Sequence, residues 1–202
     1  MRRIVRLLVL FSLCAWDTAA RAGEIGIYAE RNCSGCEITI PPFGAVDTLY
    51  VCILNDGDPP VSCGQPLFGG AFRIEGLPLG WVVAEARPAP AACGVYGEPF
   101  GAQGASVAFC RDQGSSDRCI LLYTFVLAPL AVYSDVHLRI VGGLPCYVYG
   151  NCPMIYTGDQ PCDPTCQCYP GGEIIVNPVN DHCTVGVEAR TWSNVRALYR
   201  VR

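Results

Sequence analysis

Fourteen cysteines in 202 residues constrain this chain more than any other feature. Such a density reads as a disulfide framework in a chain sent to an oxidising compartment, where thiols pair and the bonds persist. The N-terminus supplies the route. Arg2, Arg3 and Arg6 give a cationic start, Leu7 to Trp16 a short apolar run, and Ala20-Arg21-Ala22 an A-x-A exit, the pattern of a secretory signal. The apolar run is too short to span roughly 30 Å of hydrocarbon as a permanent helix. Cleavage is expected after Ala22, with Ala20 as the alternative, so residues 1–22 read as a signal peptide and 23–202 as one domain. Cys14 lies within the apolar run, but the bulky Leu13 before it argues against a lipoprotein. Thirteen cysteines then remain, an odd number. One thiol stays free, or one pairs between chains, or Cys14 is retained.

Removing the signal takes four arginines and Asp17 with it. Ten arginines then face seventeen acids, a net charge of about −7 with no lysine anywhere. A chain so acidic has no electrostatic footprint for nucleic acid or anionic lipid. The 180 residues left are ample for one domain and short for two. No later stretch makes a membrane span: Ile120 to Tyr133 comes closest, and Thr124 and Pro129 interrupt it.

Strand-like runs separated by turn residues fill the rest. Val136, Leu138 and Ile140 alternate with Asp135, His137 and Arg139, the mark of a half-buried strand. Cys183, Val185, Val187 and Ala189 alternate likewise, and Phe72 and Ile74 flank Arg73 as Val107 and Phe109 flank Ala108. Ile25 to Ala29, Thr48 to Leu54, Trp81 to Ala86, Ile120 to Leu127 and Glu173 to Val176 complete the set. Thr48 to Leu54 and Ile120 to Leu127 are nearly all apolar, as expected for central strands covered on both faces. Pro41-Pro42, Gly57-Asp58-Pro59-Pro60, Gly69-Gly70, Pro88-Ala89-Pro90 and Gly142-Gly143 punctuate the chain too often for long helices. The expected fold is an all-β, disulfide-rich β-sandwich of about nine or ten short strands. One short helix is expected near 191–200. Thr191 caps it, and Trp192, Val195 and Tyr199 share one face that must dock to be stable.

The run Phe72-Arg73-Ile74-Glu75-Gly76-Leu77-Pro78-Leu79-Gly80-Trp81 leads through Gly97-Glu98-Pro99-Phe100-Gly101 to Val107-Ala108-Phe109-Cys110. Cys183-Thr184-Val185-Gly186-Val187-Glu188 then precedes Thr191-Trp192-Ser193 and Ala197-Leu198-Tyr199. This layout resembles a group of uncharacterised exported bacterial proteins, single sandwich domains that end in a Thr-Trp helix. The middle part also resembles the cohesin and carbohydrate-binding type of sandwich, where an apolar strand, a long excursion and a Gly-led strand lead into a Leu-rich strand. Both resemblances imply a compartment and a fold; neither implies an activity.

Residues able to carry chemistry are few. Cys33-x-x-Cys36 and Cys162-x3-Cys166-x-Cys168 have spacings that bind zinc in reducing compartments, but export favours disulfides. Cys33-x-x-Cys36 lacks the helix N-terminus that would depress a redox thiol, and a structural link suits it better. No G-x-S-x-G stands between a strand and a helix, and His182 beside Asp181 is a lone pair in a turn. Glu75, Glu85, Glu98 and Glu173 are spread along the chain without visible convergence, as solvated surface acids are. Asn55-Asp56-Gly57-Asp58 lacks the closing glutamate of a calcium loop and reads as a turn. No catalytic residue, cofactor or metal site is expected.

Two features remain. The segment Pro145 to Tyr169 carries five cysteines with Tyr147, Tyr149, Tyr156 and Tyr169, a candidate contact surface on a cross-linked loop, or the plug of an open core end. Cys110 ends one strand and Cys119 opens another, with Gly114-Ser115-Ser116 between them. In an antiparallel hairpin the two would face each other closely enough to bond. If instead each pairs elsewhere, for instance with Cys93 or Cys146, the two strands belong to different sheets. The functional expectation is a secreted, extracellular, non-catalytic binding or structural domain of a bacterial cell. Its partner would be a glycan, a surface polymer or an exported protein. A secreted hydrolase with strand-borne carboxylates is the alternative, and two acids converging in one cleft would mark it.

Overall fold

The computed structural model describes residues 24–43, 45–55, 66–113, 117–143, 152–157, 169 and 171–180. Eleven strands fall among them: β1 (Glu24–Tyr28), β2 (Glu37–Ile38), β3 (Asp47–Leu54), β4 (Leu67–Glu75), β5 (Trp81–Pro88), β6 (Ala92–Gly97), β7 (Ala105–Phe109), β8 (Cys119–Pro129), β9 (Val136–Val141), β10 (Met154–Thr157) and β11 (Glu173–Val176). They form a four-stranded sheet, β1-β3-β8-β5, and a seven-stranded sheet, β2-β11-β9-β4-β7-β6, with β10 added on β4. The fold is an all-β sandwich. The alternating run at Cys183 and the helix expected near 191–200 lie outside the described residues.

Alternation explains which side chains meet. Val136, Leu138 and Ile140 of β9 point inward with Ala105, Val107 and Phe109 of β7 and Phe72 and Ile74 of β4. From the other sheet come Ile25, Ile27, Leu49, Val51, Ile53, Leu122, Phe125 and Leu127. Removing each of these side chains larger than alanine from water contributes about 1.5–3 kcal/mol. Ring pairs cross the layer: Phe72 meets Tyr123 edge-on at 6.3 Å, and Phe100 meets Phe125 at 5.2 Å. β3 and β8 are the inner strands of their sheet, as their apolar runs imply. Cover on both faces does not follow, because the outward Tyr50, Leu121, Thr124 and Val126 are only half-buried.

The disulfides correct the proposed hairpin. Cys110 bonds Cys93, and Cys119 bonds Cys33. β7 and β8 belong to different sheets, so residues 110 and 119 are not opposed across a ladder. The hairpin mouth that a disulfide closes is that of β6 and β7, where Ala92 lies opposite Phe109 and Cys93 sits in the bulge before Gly94. Cys36 and Cys152 are also disulfide-bonded. Among the described residues the free thiol is Cys52, fully buried in β3.

Candidate functional site

One end of the sandwich exposes apolar side chains in turns that converge there. β8 delivers Leu130 and Val132, the turn into β5 delivers Leu79, and the approach to β3 delivers Phe43 and Val46. Backbone bonds hold these turns together: Phe43 N–H donates to the Pro129 carbonyl and Leu130 N–H to that of Gly80, each at 3.0 Å. Trp81 Nε1 donates to the Ala131 carbonyl at 3.0 Å, and its ring meets that of Tyr133 edge-on at 6.5 Å. Asn177, just past β11, ties in the second sheet. Its side-chain nitrogen donates to the Tyr133 carbonyl at 3.1 Å, and its side-chain oxygen accepts from Ile40 N–H at 2.7 Å. Val179 N–H donates to Asp135 Oδ1 at 2.7 Å and so joins the same end.

The result is an apolar cap open to solvent. Leu79 is 89% exposed, Val132 71% and Phe43 69%, and Val46, Leu130, Tyr133 and Val179 are exposed at the same end. Scattered exposed hydrophobes are ordinary, whereas a gathered set marks a surface built for contact. The backbone here is also strained. Phe43, Asp135 and Asn177 adopt left-handed φ values of 59°, 51° and 55°. A left-handed phenylalanine costs about 1–2 kcal/mol, and residues held this way collect at functional sites.

The four glutamates do not assemble a hydrolytic pair. Glu75 is ion-paired with Arg73, Glu85 with Arg87, and Glu173 with Arg139. Register places Glu75, Arg139 and Glu173 in one row across β4, β9 and β11, so a cation separates the two acids. Their strands are two spacings apart, roughly 10 Å. His137 Nδ1 lies 3.0 Å from Glu173 Oε1, which makes that histidine part of a surface ion cluster. Glu98 belongs to the turn before Phe100, where its carbonyl accepts from Gly101 N–H. His182 and the acidic turn after Asn55 lie outside the described residues; Asn55 itself is buried and donates to the Asp117 carbonyl at 3.2 Å.

Of the four tyrosines read as a candidate contact surface, Tyr156 and Tyr169 fall among the described residues. Tyr156 is 9% exposed, packs with Ala71, Met154 and Phe68, and its hydroxyl lies 2.8 Å from Ser106 Oγ. Tyr169 packs against the main core. Tyr156 is thus buried and Tyr169 half-buried, each against apolar neighbours. Tyr147 and Tyr149 lie outside the described residues.

At the opposite end of β3 and β8, the loop from Ala29 to Gly35 crosses the outer face of the four-stranded sheet. It leaves β1, passes over β3 and is bonded to β8 through Cys33–Cys119. Beneath this strap lies Cys52, with Tyr28 donating to Glu24 Oε1 at 2.7 Å on the adjacent β1. Tyr28 folds back over Gly26, where any Cβ would stand 2.5 Å from its hydroxyl. Burial pushes the Cys52 thiol up to about 12, opposed by the charge of Arg31. A cavity of about 230 Å³ opens beside the strap, lined by Arg31, Gln113, Asp117 and Cys119 among others. It is smaller than the usual range for small-molecule sites, about 300–1,000 Å³.

No protein-family model matches the chain, and no curated protein matches it. Cohesin modules are among the solved structures it is similar to, the sandwich type that its middle part resembles. The cohesin module of a Clostridium perfringens family 33 glycoside hydrolase is 11% identical, with a TM-score of 0.45 over 78% of this chain and 98% of that one. The cohesin of a type I cohesin–dockerin complex from Clostridium thermocellum is 13% identical, TM-score 0.44, over 77% and 99%. A non-cellulosomal cohesin from Archaeoglobus fulgidus is 11% identical, TM-score 0.39, over 84% and 96%. Nothing about a partner follows from likeness this distant. The apolar cap has a trace in the sequence: Phe43, Leu79, Leu130 and Val179 stand beside Pro or Gly, where polar residues are the rule.

Proposed function

We propose that this chain is a secreted, non-catalytic binding domain that engages another exported protein through the apolar cap. The gathering of Phe43, Val46, Leu79, Leu130, Val132, Tyr133 and Val179 on one end of a cross-linked sandwich carries the reading. Its chemistry favours a protein over a glycan. A sugar's hydroxyls need hydrogen-bonding partners once desolvated, and leucine and valine side chains supply none. A protein partner can match them with apolar side chains of its own, as interface centres do. Export and a single domain over residues 23–202 belong to this reading, supported by the signal-like leader and by disulfides that suit an oxidising compartment.

The test is a photo-crosslinking side chain placed at Val132, with Val95 on the β6 edge as the control, in the exported protein. A discrete protein adduct at position 132 and not at 95 is expected. The double variant Leu79→Asp, Leu130→Asp, with the crosslinker still at position 132, should abolish it while leaving the melting temperature within a few degrees. Equal adducts at both positions, or an adduct that survives the two aspartates, would sink the proposal.

A further inference from the structure

Three sulfurs meet under the strap. The Sγ atoms of Cys33, Cys52 and Cys119 all lie within 4.8 Å of one another, two of them bonded and the third free and buried. We propose that this cluster is an internal thiol–disulfide exchange site, in which Cys33 changes partner from Cys119 to Cys52 and leaves Cys119 as an accessible thiol. In the exchange, the Cys52 thiolate attacks Cys33 Sγ and a Cys33–Cys52 bond forms as the Cys33–Cys119 bond breaks. The electron pair departs on Cys119 Sγ, which takes up the proton that Cys52 gave to solvent. One disulfide and one thiol exist before and after, so no oxidant or reductant is consumed.

Geometry decides which sulfur is attacked. Cys52 lies opposite Leu121 and Cys119 opposite Leu54, so these two cysteines are diagonal neighbours on adjacent strands. Their Cα atoms are then about 7–8 Å apart, beyond the comfortable span of a disulfide. Cys33 has no such restriction. It sits in the short turn between Glu30 and Ser34 at a φ of 62°, on a loop rather than in a ladder. The leaving position is also prepared: the Arg31 carbonyl lies 3.1 Å from Cys119 Sγ, ready to accept from a thiol there. Cys119 lines the cavity beside the strap, so the exchange converts a buried thiol into one that a reagent reaches.

The groups facing Cys52 set the pH dependence. Tyr28, held by Glu24, covers it from β1, Arg31 from the strap, and Arg118 stands just before β8. Burial makes the Cys52 thiolate scarce at neutral pH, so exchange should accelerate about tenfold per pH unit up to the thiol's raised pKa.

The experiment incubates native protein with N-ethylmaleimide at pH 7 and pH 9, quenches in acid and maps the peptides without reduction. The expected product carries maleimide on Cys119 and a Cys33–Cys52 disulfide. It should form about 100-fold faster at pH 9, at a rate independent of protein concentration and with near-UV circular dichroism unchanged. Cys52→Ala should leave Cys33–Cys119 intact and Cys119 unlabelled, and Cys52→Ser serves if alanine fails to fold. Label on Cys52 itself, or an intact Cys33–Cys119 bond at both pH values in the wild type, would overturn the proposal.

Discussion

Glu173 shows how much a single side chain can organise on a sheet surface. Burial alone would raise its pKa, but hydrogen bonds from His137 and Arg139 and their charges outweigh it, holding the carboxyl below its usual range. A carboxylate whose folded pKa lies below its unfolded one stabilises the fold above the unfolded value, about 4.3. That stability drains away as pH falls through the folded value. Glu173→Gln should therefore flatten the fall in stability below about pH 4.3, read from urea unfolding at steps from pH 6 to 2.5. An acid limb as steep as the wild type's would show that the cluster contributes nothing. Part of this arrangement is legible in the sequence. Alternation places His137 and Arg139 on the polar face of their strand, and Glu173 opens a run of apolar residues. Which strand lies beside which is not local information, so the row Glu75–Arg139–Glu173 emerges from register alone.

At the scale of the strand, β4 is the junction of the larger sheet. One edge pairs with β7, while the other is shared by β10 along its first half and β9 along its second. Gly69 makes this crowding possible: at a φ of 137°, any Cβ there would lie 1.9 Å from the Val107 carbonyl oxygen. Gly69→Ala should lower stability by about 2–3 kcal/mol, seen as a shifted denaturant midpoint with an unchanged slope. Gly94→Ala, whose Cβ would stand 3.7 Å from its nearest neighbour, should cost far less. Equal losses would mean that β4 yields at residue 69. Gly69-Gly70 reads as punctuation in the sequence, yet the strand runs straight through it, because two glycines mark close backbone approach as well as turns. β6 escaped notice for a related reason. Ala92-Cys93-Gly94 has low strand propensity, and its place comes from β7 beside it and the Cys93–Cys110 bond.

For the molecule as a whole, the two defined disulfides differ in what they do to the unfolded chain. Cys33–Cys119 closes 86 residues of sequence and Cys93–Cys110 closes 17. The chain-entropy model assigns them about 4–5 and about 3 kcal/mol. Replacing Cys33 and Cys119 by serine should therefore cost more stability than replacing Cys93 and Cys110, and the reverse order would show that loop length does not set the difference. Sandwich class and cysteine use are legible because alternation, punctuation and composition are properties of short windows. The apolar cap leaves only a trace there, apolar residues in turns, because Phe43, Leu79, Val132 and Val179 are far apart in sequence and come to one end only when two sheets stack. The order of strands has one more consequence, for resistance to aggregation. A sandwich has outer strands whose free backbone groups invite another chain to add on. Here β2 is two residues long, β5 carries Glu85 and Arg87 and ends in Pro88, and β6 is interrupted by glycine and tethered at Cys93. β1 is capped by its own chain, through a bridge from Ile25 to Gly171 and a bond from Gly172 N–H to the Ile25 carbonyl. Among the described residues, a neighbour seeking to extend either sheet at β2, β5, β6 or β1 meets a stub, a charged and proline-ended strand, a tethered ribbon and an occupied ladder.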